Sequence, residues 1–337
     1  MKHDVITLDH GSGGKMSHRL ISEAVLPVFD NPALRCLDDG AVMEMAGGRI
    51  AFSTDTYVVD PIFFPGGSIG DLAVNGTVND LAMCGAVPAA LSAGLIIEEG
   101  FGRADLDRVL RDMQEAARAA GVRIVTGDTK VVPRGAADKI FINTAGLGAV
   151  PRGVDVSGAN ARAGDRILVS GTLADHGMAI LTQREGLQFE SPIQSDTAPL
   201  NHMAAAMLEA FGDRVHVLRD PTRGGLGTAL NEIAASSGVG VRFHEDRLPI
   251  REAVAGICEL LGFDPLYVAN EGKLIAVVAP DAADGVLEVM RRDPFGRDAC
   301  IIGEVVPPGP APVIMSTAIG GTRIVDMLAG EQLPRIC

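Results

Sequence analysis

The sequence contains no tryptophan and only two tyrosines, and its 29 Lys and Arg are outnumbered by 43 Asp and Glu, giving a net charge of −14. Proteins that hold single strands or RNA stack bases on aromatic rings and attract phosphates with basic surface. A chain short of both is expected to bind no nucleic acid, and its field repels the anionic face of a membrane. Long apolar runs are also missing. Ala86 to Ile97 is the most apolar stretch, contains Pro88, and falls short of the ~20 residues of a membrane-spanning helix. The first residues, MKHDVITLDHGSGGK, carry neither a charged leader nor an apolar segment of signal-peptide type.

Cysteine is sparse. Cys36, Cys84, Cys258, Cys300 and Cys337 are odd in number and have no CxxC spacing, which fits neither a disulfide framework nor a zinc site and points to a reducing, cytoplasmic setting. The first four lie among apolar residues and are expected to be small buried hydrophobes. Cys337 ends a polar segment and has no such explanation. Three nucleotide-binding signatures are absent as well: the GxxxxGK[ST] loop, a GxGxxG after a first strand, and the kinase set.

What remains is glycine, 41 of 337 residues where ~7% is usual, much of it beside Asp, Asn or Ser in expected loops at 10–15, 38–41, 127–130 and 220–225. Between the glycine-rich loops, periodicity predicts a mixed α/β fold. Helices are expected over 68–84, 103–120, 197–211 and 225–235, and strands over 50–54, 89–97, 140–150, 166–170, 215–219, 273–279 and 299–306. In 103–120 the residues Leu106, Val109, Leu110, Met113 and Ala117 form one apolar stripe. A length of 337 residues favours two domains, and the Gly, Ala and Asp-rich stretch 152–165 is the expected boundary. Residues 1–151 form the first domain, 152–310 the second, and 311–337 a terminal segment with a flexible tail. At ~3.3 Å per residue the last dozen residues reach roughly 40 Å, enough to deliver the tip to a site elsewhere.

Asp39, Asp55, Asp80, Asp128 and Asp220 each end an apolar extended run or sit beside glycine, where a carboxylate faces a cleft. Mg²⁺ takes hard oxygen ligands, usually a few carboxylates plus substrate phosphates, so this acidic set is the expected way for a negative protein to hold Mg²⁺ and ATP. His10, Gly11, Ser12, Gly13, Gly14 and Lys15 are expected to wrap phosphates, since consecutive glycines bare amide N–H groups and the lysine adds charge.

HGSGGK (10–15), DDGAV (38–42), STDTYVV (53–59), VNDLAMCGA (78–86), TGDTKVV (126–132), RDPTRGG (219–225), ANEGK (269–273) and a final PRIC together resemble the HypE family of hydrogenase maturation factors across nearly the whole chain. The Asp-rich motifs resemble those of a wider ATP-binding superfamily with aminoimidazole ribonucleotide synthetase, selenophosphate synthetase and thiamine-monophosphate kinase; the PRIC ending selects the member. The resemblance implies an aminoimidazole-ribonucleotide-synthetase-like, two-domain architecture whose first domains pair into a homodimer. It implies ATP-dependent dehydration of a carbamoyl group on Cys337 to a thiocyanate, the source of the cyanide ligand of [NiFe]-hydrogenase iron. A HypF-like carbamoyltransferase would load the thiol and a HypC–HypD-like iron scaffold would receive the cyanide. Asn79 and Thr129 join the nucleotide-binding set, with Glu271 as proton acceptor and Lys130 as its tuning or relay partner. Arg335, or the loading partner's own site, is expected to offset the terminal carboxylate, Pro334 to restrict the tail, and Ile336 to fill an apolar slot. A superfamily kinase or synthetase acting on a free small molecule would not need Cys337, and a non-catalytic ATP-regulated scaffold would not change the tail's mass.

Overall fold

The computed structural model describes residues 5–187, 193–330, 333 and 335–337. Two sheets organise them. The first has strands β1 (Ala41–Met45), β2 (Gly48–Tyr57), β3 (Val87–Glu98), β4 (Arg123–Val132) and β5 (Ile140–Val150) in the order β1-β2-β5-β3-β4. All neighbours are antiparallel except β3 and β4. Helices α1 (Ile69–Met83) and α2 (Arg103–Ala120) pack together and against this sheet. Ser68 caps α1 by accepting from the Gly70 N–H, satisfying one of the donors a helix start leaves free. The apolar stripe of α2 buries Val109, Met113, Ala116, Ala117 and Ala120, and Gly121 at φ +73° ends the helix.

The second sheet has β6 (Arg166–Val169), β7 (Val215–Arg219), β8 (Gly240–His244), β9 (Ile275–Val278), β10 (Cys300–Val306), β11 (Val313–Ser316) and β12 (Thr322–Ile324), ordered β12-β11-β8-β10-β6-β9-β7. Helices α3 (Asp175–Arg184), α4 (Asn201–Phe211), α5 (Gly225–Ser237), α6 (Glu252–Leu261) and α7 (Ala283–Arg292) accompany it. Both faces of β9 are covered, which is why it reads as an unbroken apolar IAVV. Ile275 and Val277 join Leu226, Leu230 and Phe243 on one side; Ala276 and Val278 join Met203, Met207 and Met290 on the other. That second cluster also contains Ala51, Leu81 and Met83 from the first sheet and its helix, so the two sheets share a core.

Three expectations change here. Val313–Ser316 and Thr322–Ile324, read as part of the terminal segment, are strands of the second sheet. Residues 127–130, read as a glycine-rich loop, lie within strand β4 at an edge of the first sheet, exposed from Arg123 to Val131. Cys36 is exposed and Cys300 half-buried, whereas Cys84, Cys258 and Cys337 are buried. Among the described residues no helix is long and apolar enough to cross a membrane.

Candidate active site between the two sheets

The acidic residues arrive from separate elements. Asp39 precedes β1, Asp55 lies on β2, Asp80 in the last turn of α1, and Asp220 directly follows β7; Glu271 lies in the segment leading to β9. Burial is the first reason that Asp80, Asp220 and Glu271 are held far above the usual carboxylate range. The second is mutual repulsion: Asp220, Asp55 and Asp39 act on Asp80, and Asp55, Asp220 and Asp196 act on Glu271. Asp39 is pushed up to about 6 by burial, against the pull of Arg219, whose Nε lies 3.2 Å from Asp39 Oδ1. The same guanidinium reaches Glu232 at 2.6 Å, and Glu232 meets His18 Nε2 at 2.6 Å. Ser53 Oγ donates toward Asp80 Oδ2 at 2.6 Å.

Glu271 is set by its backbone. Asp196 Oδ1 accepts from the N–H groups of Glu271 and Gly272 at 3.0 and 3.3 Å, and Asn79 Nδ2 donates to the Glu271 carbonyl at 3.1 Å. A Cβ on Gly272 would lie 1.8 Å from the Asp196 carbonyl oxygen, so only glycine permits this approach. The carboxyl atom Oε1 of Glu271 is buried without a hydrogen-bond partner.

Into this acidic pocket comes the end of the chain. Ile336 and Cys337 are 3% and 7% exposed and share an apolar cluster with Tyr57, Ile142, Ile180 and Ala269. The Cys337 thiol is held well above the ordinary thiol range by burial first, with Arg223 pulling the other way and Glu271, Asp55 and Asp220 adding to the rise. Arg223, Gly11, Ser12, Tyr267 and Leu328 line a cavity of ≈ 170 Å³ beside Cys337. Arg223 donates to the Gly11 carbonyl at 2.9 Å, and a Cβ on Gly13 would meet the Arg223 carbonyl oxygen at 2.8 Å. The 10–15 segment therefore packs directly on the arginine that faces the thiol.

Other predicted site residues are placed differently. The Asn79 amide is fully buried and bonded to Ala198 O, Glu271 O and Leu200 N; it fixes Glu271. Lys15 Nζ pairs with Asp326 at 2.5 Å. Asp128, Thr129 and Lys130 are exposed on β4, where the 2.5 Å pair to Lys130 holds Asp128 below its usual range. Asp55 shares its row across the sheet with Thr144, Ala93 and Gly127. Three strand spacings, about 14 Å, therefore separate Asp55 from β4, and Asp128 and Lys130 lie on the opposite face. A single chain does not bring them to Glu271. Arg335 turns to Asp138 at 2.5 Å, leaving Arg223 as the cation beside Cys337. Pro334 lies outside the described residues. Arg223, Asp196, His176 and Arg184 were missed by sequence reasoning; only Arg223 carried a signal, through its motif.

Among the described residues no three His, Cys, Asp or Glu side chains form a closed metal cage. Mg²⁺ needs none, because it binds through one or two carboxylates and completes its shell with phosphates and water. Repelling buried carboxylates and the orphaned Glu271 Oε1 are what such a cation would neutralise, so the residues fit it. The apoprotein should show the strain. Folded-state values above the unfolded ones mean that the native state binds more protons between the two, so stability is lost as pH rises from about 4 through the Asp39 value of about 6. In a pH series of thermal denaturation on nucleotide-free protein, Tm is expected to fall across this window. Asp80→Asn should flatten the fall; an unchanged slope would show that the cluster does not repel as described.

The chain matches the AIR synthase related protein family, its N-terminal domain over residues 37–150 and its C-terminal domain over 162–314. It is 54% identical over 337 residues to the carbamoyl dehydratase HypE of Bradyrhizobium diazoefficiens, covering 100% of this chain and 97% of that protein. This chain belongs to the HypE carbamoyl dehydratases. The HypE of Escherichia coli is 48% identical, covering 98% of this chain and 99% of its own. A solved HypE in complex with ATP superposes with a TM-score of 0.84 at 52% identity, covering 99% of this chain and 100% of that one. A HypE–HypF complex matches at 0.87 and 49%, covering 92% and 99%. A ThiL complexed with AMPPCP and TMP, at 19% identity and a TM-score of 0.72 over 96% of this chain and 99% of that one, shares the fold. Membership in the HypE family places the chain in hydrogenase maturation.

Proposed function

We propose that the chain uses ATP to dehydrate a carbamoyl group carried on its own Cys337 to a thiocyanate, supplying the cyanide ligand of [NiFe]-hydrogenase iron. The observation that carries the proposal is the seat of Cys337 beside Glu271, Asp55, Asp220 and Arg223. The balance is simple. The γ-phosphoryl group of ATP is transferred to the carbamoyl oxygen, two N–H protons leave, the C–O bond breaks, and ADP and phosphate depart as the C≡N bond forms. Bound Mg²⁺ would lower the cost of charge developing on the phosphoryl oxygens, and Asp39, Asp55, Asp80 and Asp220 are the residues that would hold it.

The chain's own groups supply the rest. Glu271, once ionised, accepts an N–H proton at its orphaned Oε1. The seat excludes water from a nitrile-forming centre, since Ile336 and Cys337 are buried. Arg223 offsets negative charge at the sulfur. Gly11 and Ser12 line the adjoining cavity and present the phosphate-binding segment that includes His10 and Lys15. Asp128, Thr129 and Lys130 can serve only through a homodimer formed along the exposed β4, which would also cover Ile124, Val125 and Val131. For the domains we keep the boundary at 151/152 and carry the second domain past 310 through β12, since both late strands pair into its sheet and Val325 and Leu328 are buried against it.

Likeness to the HypE–HypF complex supports a HypF-like partner, which on this reading is the carbamoyltransferase that loads Cys337; the HypC–HypD-like scaffold that would take the cyanide rests on the motif resemblance alone. Five free thiols suit a cytoplasmic setting. The test is intact mass: protein carbamoylated by its transferase should lose the mass of one water on adding ATP, with the change mapped to the peptide holding Cys337. ATP turnover with no such loss would overturn the proposal.

A further inference from the structure

The seated arm is held mainly through its backbone. Residues 335–337 run antiparallel to residues 58–60: the Val58 N–H donates to the Cys337 carbonyl at 2.9 Å and the Asp60 N–H to the Arg335 carbonyl at 3.3 Å. On the other side lies α3, whose His176, Ile180 and Arg184 recur at four-residue steps and so share a face. His176 Nε2 is 2.8 Å from the Ile336 carbonyl oxygen. A carbonyl only accepts, so Nε2 carries the proton and Nδ1 accepts from the Ser195 hydroxyl at 2.8 Å. The ring is fully buried, with Phe64 edge-on at 5.7 Å. Ile180 lies in the apolar cluster that holds Ile336. Arg184 Nη2 donates to the carbonyls of Arg335 at 2.9 Å and Asp60 at 2.6 Å, joining the arm to the strand extension.

Arg335 itself has φ +52°, a region that non-glycine residues occupy only where their surroundings over-determine it. Its side chain is pinned accordingly: Nε donates to the Val58 carbonyl at 2.9 Å and Nη1 reaches Asp138 at 2.5 Å.

We propose that α3 is the docking rail of the carboxyl-terminal arm, on which His176 and Arg184 grip the consecutive carbonyl oxygens of Ile336 and Arg335 and thereby set the register of Cys337. Both are positioning residues, acting through the arm and not on the reacting atoms. The inference rests on the reading that Cys337 carries the reacting group, and it goes beyond it by naming what aims the thiol. The carbonyl contacts act together with the apolar slot that takes Ile336 to fix how far the arm advances. Burial holds His176 below its usual range, in keeping with the neutral ring the contact needs.

The experiment compares wild type with His176→Phe, His176→Gln, Arg184→Met and the double variant His176→Phe/Arg184→Met. Two readouts are followed: single-turnover water loss from carbamoylated protein by intact mass, and alkylation of Cys337 in unloaded protein by peptide mapping, with exposed Cys36 as internal standard. Each single loss of a donor should slow water loss about tenfold with the KM for ATP unchanged, the double variant more, since misplacement acts on the chemical step. Alkylation of Cys337 should speed up in parallel. His176→Gln keeps a donor and should recover most of the rate, which separates lost grip from failed folding. Where wild type does lose water, wild-type rates in both donor-loss variants overturn the rail, as does faster alkylation with unaltered turnover. A wild-type Cys337 that alkylates as fast as Cys36 sinks the docked arm. If wild type never loses water yet the variants still free the thiol, the rail holds as a docking device and only the dehydratase reading falls.

Discussion

Deleting Ile336, so that Cys337 is kept but drawn back by one residue, is expected to abolish dehydration as completely as Cys337→Ala. The alanine variant has no sulfur to carry the group, so intact mass should show neither loading nor loss. The deletion variant still has its thiol, and this makes it the more informative of the two. One residue of extended chain is about 3.3 Å, and a shift of one reverses which side each group faces. Ile336 would leave the slot in which it is 3% exposed, and the carbonyls now held by Val58, His176 and Arg184 would fall out of step. A misplacement of even 1 Å can cost about 10²-fold. Water loss from a loaded deletion variant at more than a tenth of the wild-type rate would mean that the seat is not where the chemistry happens.

Glu271→Gln should leave loading intact and slow water loss by about 10²–10⁴-fold, the usual worth of a positioned proton acceptor. The substitution keeps the shape and the backbone contacts to Asp196 and Asn79, so loss of rate reports the carboxylate. The pH dependence gives a second check. Burial and the neighbouring Asp55, Asp220 and Asp196 raise Glu271 well above the usual carboxylate range, and only the ionised form accepts a proton. The wild-type single-turnover rate should therefore climb with pH above the range in which an ordinary carboxylate titrates, and the climb should be missing in Glu271→Gln. A variant that keeps the climb would move the role to another group.

Much of this architecture was legible in the residues. The stripe of α2 and the alternation of β5 gave their spans directly, because each buries one face within the chain. Strand β4 was taken for a loop because almost none of it is buried here, so the two-residue period that marks a strand had nothing to act on. The short β11 alternates over only four residues and takes its identity from pairing beside β8, a partner about 70 residues away in sequence. At the site, acidic residues beside glycine announced themselves, and Glu271 stood in a recognisable motif. His176 did not: its partner is a backbone carbonyl 160 residues downstream, and no pattern of side chains encodes a contact to a main-chain oxygen. Asn79 shows the same limit, since a motif amide that looks free in sequence is bonded to three backbone groups.

The arm is also a piece of masonry. Ile336 and Cys337 complete the wall of apolar side chains that includes Tyr57 and Ile142 of the first domain and Ile180 and Ala269 of the second, so displacing the arm would open a greasy trough between the domains. On the proposed delivery role, molecules with the arm out would be the sticky ones, inclined to clump when crowded or warmed, and a receiving partner would do well to cover the trough until the arm returns.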